Sequence, residues 1–133
     1  MILLDTHVLV WHTKGLDDLG SQARTLVDGA LVQEELAVSA ITFWEVEMLI
    51  WHNRLELMQD TTAWRQTLLN QGLIEIPVAG DVGIMAAALP DFHRDPADRL
   101  ITATALHYGA RLITADERIL GWTGTLLRHH ARR

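Results

Sequence analysis

With 133 residues, 49% of them apolar and 21% charged, the chain has the length and composition of one globular domain with a single sizeable core. It has no cysteine, which excludes a disulfide framework and a thiolate metal site and suits a reducing cytoplasm. No stretch reaches the ~20 apolar residues that span a bilayer, and the start, Met1-Ile2-Leu3-Leu4-Asp5, lacks the basic flank of a secretory signal. The net charge of -6 argues against a broadly basic surface, yet Lys14 is the sole lysine among eleven basic residues, and arginine favours bidentate contact with phosphate. Arg128, Arg132 and Arg133 gather beside His129 and His130.

In chain order, Ile2-Leu3-Leu4 predicts a strand ending at Asp5, and the spacing of Val8, Leu9 and Trp11 predicts a helix over 7–12. Gly20-Ser21 reads as an N-cap for a helix over 22–28, closed by Gly29. Leu36-Ala37-Val38 predicts the second strand. A longer helix over 41–52 follows, in which Ile41, Trp44, Met48 and Trp51 fall on one helical stripe. That stripe is expected to lie in the core or against a partner. Asp60 caps a helix to position 69, ended by Gly72, and residues 73–76 before Pro77 predict the third strand. Asp81 starts a helix through Ala86-Ala87-Ala88 that stops before Pro90. Asp95-Pro96 opens one to Tyr108, closed by Gly109. Residues 111–113 predict a fourth strand, 116–120 a short helix, and Thr125-Leu126-Leu127 a fifth strand.

Short strands separated by helices favour an α/β fold, a three-layer α/β/α sandwich with a mainly parallel sheet of about five strands, forming one domain over 1–133. Such sheets bind ligands beyond the carboxyl ends of their strands. Asp5 ends the first strand there, Glu45 lies in the first turn of the helix leaving the second, and Asp116 follows the fourth. Asp98, in the first turn of a helix running back, reaches the same edge.

Each acid except Asp5 has a purely structural alternative. Thr42-x-x-Glu45 and Thr114-x-x-Glu117 both fit capping boxes, and Asp95-Pro96-Ala97-Asp98 fits a capped helix start. Asp5 resists that explanation because aspartate is disfavoured in strands. Four carboxylates about 4–6 Å apart in a poorly solvated cleft repel by several kcal/mol, so either some protonate or a cation joins them. Oxygen ligands suit Mg²⁺ or Mn²⁺, and the lack of cysteine or a histidine cluster argues against zinc. Glu47, about 200° round the helix from Glu45, is expected to face away. Arg99 is expected to pair with Asp95, and His7, His12, His93 and His107 lack metal-ligand spacing.

The segments Leu3-Leu4-Asp5-Thr6-His7, Ser39-Ala40-Ile41-Thr42-Phe43-Trp44-Glu45, Asp95-Pro96-Ala97-Asp98-Arg99-Leu100-Ile101 and Leu112-Ile113-Thr114-Ala115-Asp116-Glu117-Arg118-Ile119 resemble, in order and over the full length, the PIN-domain ribonucleases. More narrowly they resemble the VapC-type toxins of bacterial toxin–antitoxin pairs. The resemblance implies that Asp5, Glu45, Asp98 and Asp116 form an acidic site holding Mg²⁺ or Mn²⁺. Thr6 and Thr114 would orient carboxylates or water there, with Asp95 as an outer acid. It further implies RNA as substrate, a cognate antitoxin and a homodimer as partners, and no membrane. A phospho-receiver domain would need a lysine after a late strand. A haloacid-dehalogenase-type phosphatase would need a second aspartate two residues beyond Asp5. Neither residue is present. An acidic pocket that merely docks a basic peptide, or a PIN nuclease acting without an antitoxin, are the remaining alternatives.

Overall fold

The computed structural model describes residues 1–133. Its first half runs β1 (Ile2–Leu4), α1 (Thr6–Lys14), α2 (Ser21–Val32), β2 (Leu36–Ser39), α3 (Ile41–Trp51), α4 (Thr61–Asn70) and β3 (Ile74–Ile76). The second half runs α5 (Gly80–Ala87), α6 (Pro96–Tyr108), β4 (Arg111–Thr114), α7 (Glu117–Leu120) and β5 (Arg128–His130). The strands form one sheet of order β3-β2-β1-β4-β5, and every pairing is parallel. The chain winds from β1 outward to β3, then returns to the other side of β1 for β4. The sheet therefore has its switch point between β1 and β4, where a crevice opens at the strand C-termini.

Alternation along the strands builds the three layers. Leu4, Val38 and Ile113 pack into one core with Val8, Val27 and Trp64, while Leu3, Ala37 and Leu112 pack into the other with Ile101, Ala105 and Ile119. The register puts like with like, Leu3 opposite both Ala37 and Leu112 and Leu4 opposite Ile113, so each face stays apolar across the sheet. Parallel strands must be covered on both sides, and here α1, α2 and α4 cover one face and α6 the other.

Four readings of the sequence need correction. α2 runs past Gly29 to Val32, because Ala23, Val27 and Ala30 keep one buried stripe going and Gly29 lies on the exposed side. The fifth strand is Arg128–His130, paired to β4 along one edge only, and not the apolar 125–127. Leu126 belongs instead to the core beneath it. On α3 the stripe of Trp44 and Trp51 is not core: these residues are 57% and 77% exposed. The buried face is Thr42, Phe43 and Val46, a helical stripe of equal regularity but smaller bulk. Two overlapping apolar stripes on one helix cannot be ranked by period alone. Finally, α3 has no side-chain N-cap, so Thr42 and Glu45 are free for other partners.

The C-terminal segment is sewn to this framework. Ala131 donates its N–H to the Thr114 carbonyl at the end of β4, and Gly20 donates to the Ala131 carbonyl. A Cβ on Gly20 would collide with the main chain of Arg133, so only glycine allows that approach. No helix is long and apolar enough to cross a membrane.

Candidate metal centre

The crevice between β1 and β4 is where the acids converge. Asp5 leaves β1 and becomes the N-cap of α1, its Oδ1 accepting from the Thr6 N–H at 2.8 Å. Its Oδ2 accepts from the Thr114 hydroxyl at 2.6 Å, which ties the end of β1 to the end of β4. The same Thr114 oxygen accepts from the Asp116 N–H at 3.0 Å. Thr114 therefore makes no capping box with Glu117. Asp116 is itself the N-cap of α7 and accepts from the Arg118 N–H. From the other side, Glu45 accepts a short hydrogen bond from the Thr6 hydroxyl, whose oxygen also lies 3.1 Å from that of Thr42. Asp95 N-caps α6 as expected, its carboxylate accepting from the Asp98 N–H at 3.2 Å. Two threonines and three N-caps thus hold the acids in place. Glu47 faces away, accepting from Thr61.

All four predicted acids, with Asp95, line a single cleft of about 320 Å³. Ligand atoms of Glu45, Asp95 and Asp98 lie within 4.8 Å of one another, as do those of His93, Asp98 and Asp116. Asp98 belongs to both groups and is the hub. It is 7% exposed and Asp5 is 6% exposed, so little water screens them. Burial, then the charge of Asp5 and the other acids, pushes the Asp98 carboxyl up to about 8. Burial also pushes Glu45 up to about 7 against its bond to Thr6, and raises Asp5 despite its two hydrogen bonds. Asp116 goes the other way: burial opposes its charge, but the bonds from Arg118 outweigh it and hold the carboxyl below the ordinary range.

Two residues at the site were missed from the sequence. His93 was set aside for lack of ligand spacing, yet its Nε2 lies 3.1 Å from Asp98 Oδ2. Its Nδ1 accepts from the Asp95 N–H, which assigns the ring proton to Nε2 in the neutral form. That buried Nε2 has no well-aligned hydrogen-bond partner. Arg118 is the second. Its guanidinium lies 2.9 Å from Asp116 Oδ2 and 3.5 Å from Asp98 Oδ2, so the cluster does contain a basic neighbour. The signal was Asp116-x-Arg118, two residues apart at a helix start, where N-cap and N2 side chains can meet. Arg99 is corrected as well. It does not pair with Asp95 but donates to the carbonyls of Ala86, Phe92 and His93, clamping the loop that carries His93.

The donor set fits a divalent cation. Five carboxylates line one cleft, a single guanidinium touches two of them, and three of the five are driven towards protonation. Hard oxygen donors of this number suit Mg²⁺ or Mn²⁺. Thr114 tests the scaffold: Thr114→Val strips partners from Asp5 and from the Asp116 N–H, and unpartnered buried polar groups cost about 1–3 kcal/mol each. We expect a lower melting temperature and, because such supporting bonds matter to a metal site by about 10–100-fold, a comparable loss of Mn²⁺ affinity in calorimetry. Thr114→Ser should restore both.

A doubly covered parallel sheet with carboxylates gathered at its switch point is the plan of the PIN domain. The chain belongs to the PIN-domain family, whose profile matches residues 2–121. Ribonuclease VapC22 of Mycobacterium tuberculosis is 37% identical over 119 residues, 89% of this chain and 88% of that protein. Among solved structures, the fold is similar to VapBC2 from Rickettsia felis bound to a DNA fragment from their promoter, with a TM-score of 0.71 at 16% identity over 97% of this chain and 98% of that one. A toxin–antitoxin complex from Klebsiella pneumoniae matches with a TM-score of 0.60 at 20% identity, covering 92% and 93%.

Proposed function

We propose that this chain is a Mg²⁺- or Mn²⁺-dependent endoribonuclease, the toxin of a type II toxin–antitoxin pair. It hydrolyses RNA phosphodiesters in the cleft of Asp5, Glu45, Asp98 and Asp116. The observation that carries the reading is the convergence of these four acids, from β1, α3, α6 and the β4–α7 turn, on one cleft that disfavours their combined charge. The kinship to a VapC ribonuclease supports the substrate class, and the toxin–antitoxin complex of similar fold supports the antitoxin partner.

Asp5, Asp98, Asp116 and Glu45 are the residues that would hold the ion. A divalent ion there supplies Lewis acidity to the scissile phosphate and charge for its leaving oxygen. The chain's own contribution is orientation. Thr114 fixes Asp5, Thr6 fixes Glu45, and the Asp95 cap fixes the first turn of α6 so that Asp98 points inward. Glu45, half-buried, is bonded to Thr6 through Oε1 and leaves Oε2 for the ion. The exposed Trp44 and Trp51 give α3 an apolar surface that a second copy covers in a homodimer.

The test is sequencing of RNA 5′ ends from cells expressing the wild type or Asp5→Asn. New ends confined to the wild type are expected. Identical ends in both would sink the ribonuclease reading.

A further inference from the structure

The cleft poses an electrostatic problem of its own. Asp5, Glu45, Asp95, Asp98 and Asp116 line a site that must receive a polyanion, in a protein of net charge -6. A metal at the centre offsets only part of this. The strand running over the cleft needs cations at the rim, and of ten arginines only Arg118 and Arg132 line it.

The remaining arginines with strong side-chain partners are committed elsewhere. Arg65 is bound bidentately by Glu75 at 2.6 and 2.8 Å. Arg99 and Arg128 spend their donors on main-chain carbonyls. Arg118 differs. Its Nε and Nη2 are anchored on Asp116, while Nη1 has no partner and the side chain is 60% exposed. A guanidinium carries five donors in a planar fork, so Nη1 of this cleft-lining residue is left free for a phosphate. Arg132 is likewise half-free. It lies over Trp11 at 4.7 Å from the ring centre and 3.6 Å from Asp18, with its side chain 55% exposed. Its backbone is preset, because Ala131 is bonded to the end of β4 and the Arg132 N–H to His130. Stacking on tryptophan holds a guanidinium flat without consuming its donors.

We propose that Arg118 and Arg132 are the phosphate-binding residues of the RNA track, Arg118 gripping the phosphate nearest the acids and Arg132, on its Trp11 platform, an adjoining phosphate of the same strand. Each is a positioning residue, separate from the carboxylates that would hold the ion. The proposal rests on the ribonuclease reading, and its test separates the two.

The test is anisotropy of a fluorescein-labelled single-stranded RNA, titrated at several salt concentrations with Mg²⁺ present, in an Asp5→Asn background so that the RNA survives. Each phosphate contact on a single strand contributes about 0.7 to the slope of log K against log salt. Arg118→Gln and Arg132→Gln should each flatten the slope by about that amount and weaken binding severalfold, while Arg118→Lys restores the slope. In the cleaving background the same variants should raise KM more than they lower kcat. Melting curves confirm that each variant folds. If Arg118 serves only as resident counter-charge to the acids, Arg118→Gln will tighten Mg²⁺ binding and leave the RNA slope unchanged, which overturns the proposal. Cleavage by the wild type with unaltered slopes in both variants overturns this inference alone. A wild type that neither binds nor cuts RNA overturns the ribonuclease reading and the track with it.

Discussion

Asp98→Asn should abolish RNA cleavage while making the metal-free protein more stable. Asp98 is a heavily opposed charge, buried and facing Asp5, Asp95, Asp116 and Glu45. Asparagine has nearly the same shape and can keep its N–H bonded to the Asp95 cap, so the substitution removes repulsion without creating a cavity. The melting temperature in chelator should rise by several degrees, since about 1 kcal/mol moves a domain of this size by a few degrees. Catalysis should fall by on the order of 10³-fold, because the lost ligand supported several kcal/mol of transition-state stabilisation. Stability and activity moving in opposite directions is the signature of an acid kept for function. A variant that melts lower, or that still cleaves at the wild-type rate, would contradict the role given to Asp98.

The second large effect is the dependence of stability on pH and its removal by metal. The carboxyls of Glu45 and Asp98 stand at about 7 and about 8, well above their unfolded values near 4. Between those limits the folded state binds more protons than the unfolded chain, so stability falls as pH rises. The loss begins near the unfolded values and is complete once pH has passed about 8. A bound divalent ion reverses the preference, holding both groups ionised and expelling their protons. In chelator, the melting temperature should decline from about pH 5 to about pH 8.5; with millimolar Mg²⁺ the decline should shrink or vanish. Calorimetry in two buffers of different ionisation enthalpy should show proton release on binding near pH 7. A melting temperature that rises with pH in chelator would refute the electrostatic account of the cleft.

Much of this was legible in the residues. The parallel sheet follows from strand runs at 2–4, 36–38, 73–76 and 111–113 separated by helices, and the caps Asp60, Asp95 and Gly109 stand where their chemistry places them. Gly109, at φ 62, adopts the left-handed conformation that closes α6. What stayed hidden depends on tertiary choice. α3 offers two apolar stripes, and packing against α1 selects the one with Thr42, because Thr6 is the neighbour it meets. β5 is an edge strand of Arg128, His129 and His130, whose polar residues give no strand pattern.

At the site, the four acids were recoverable because motifs carry them at element boundaries. Their partners were not. The reach of Thr114 to Asp5 crosses 109 residues, and no local pattern reports it. His93 has no ligand spacing because the Arg99 clamp on its loop, and not sequence proximity, brings it to Asp98. Arg118 matters most among the omissions. One guanidinium sits on two of the acids. The case for a metal therefore rests on the excess of carboxylates over cations, and on the two acids left near neutrality despite Arg118.

The most direct measurement of the central claim is anomalous diffraction from crystals soaked in Mn²⁺. A single acidic pocket predicts an anomalous peak inside the cleft about 2 Å from carboxylate oxygens of the set Asp5, Glu45, Asp98 and Asp116, absent from Asp98→Asn crystals treated identically. A cleft that shows no peak at millimolar Mn²⁺, with Arg118 still seated on Asp116 and Asp98, would contradict it.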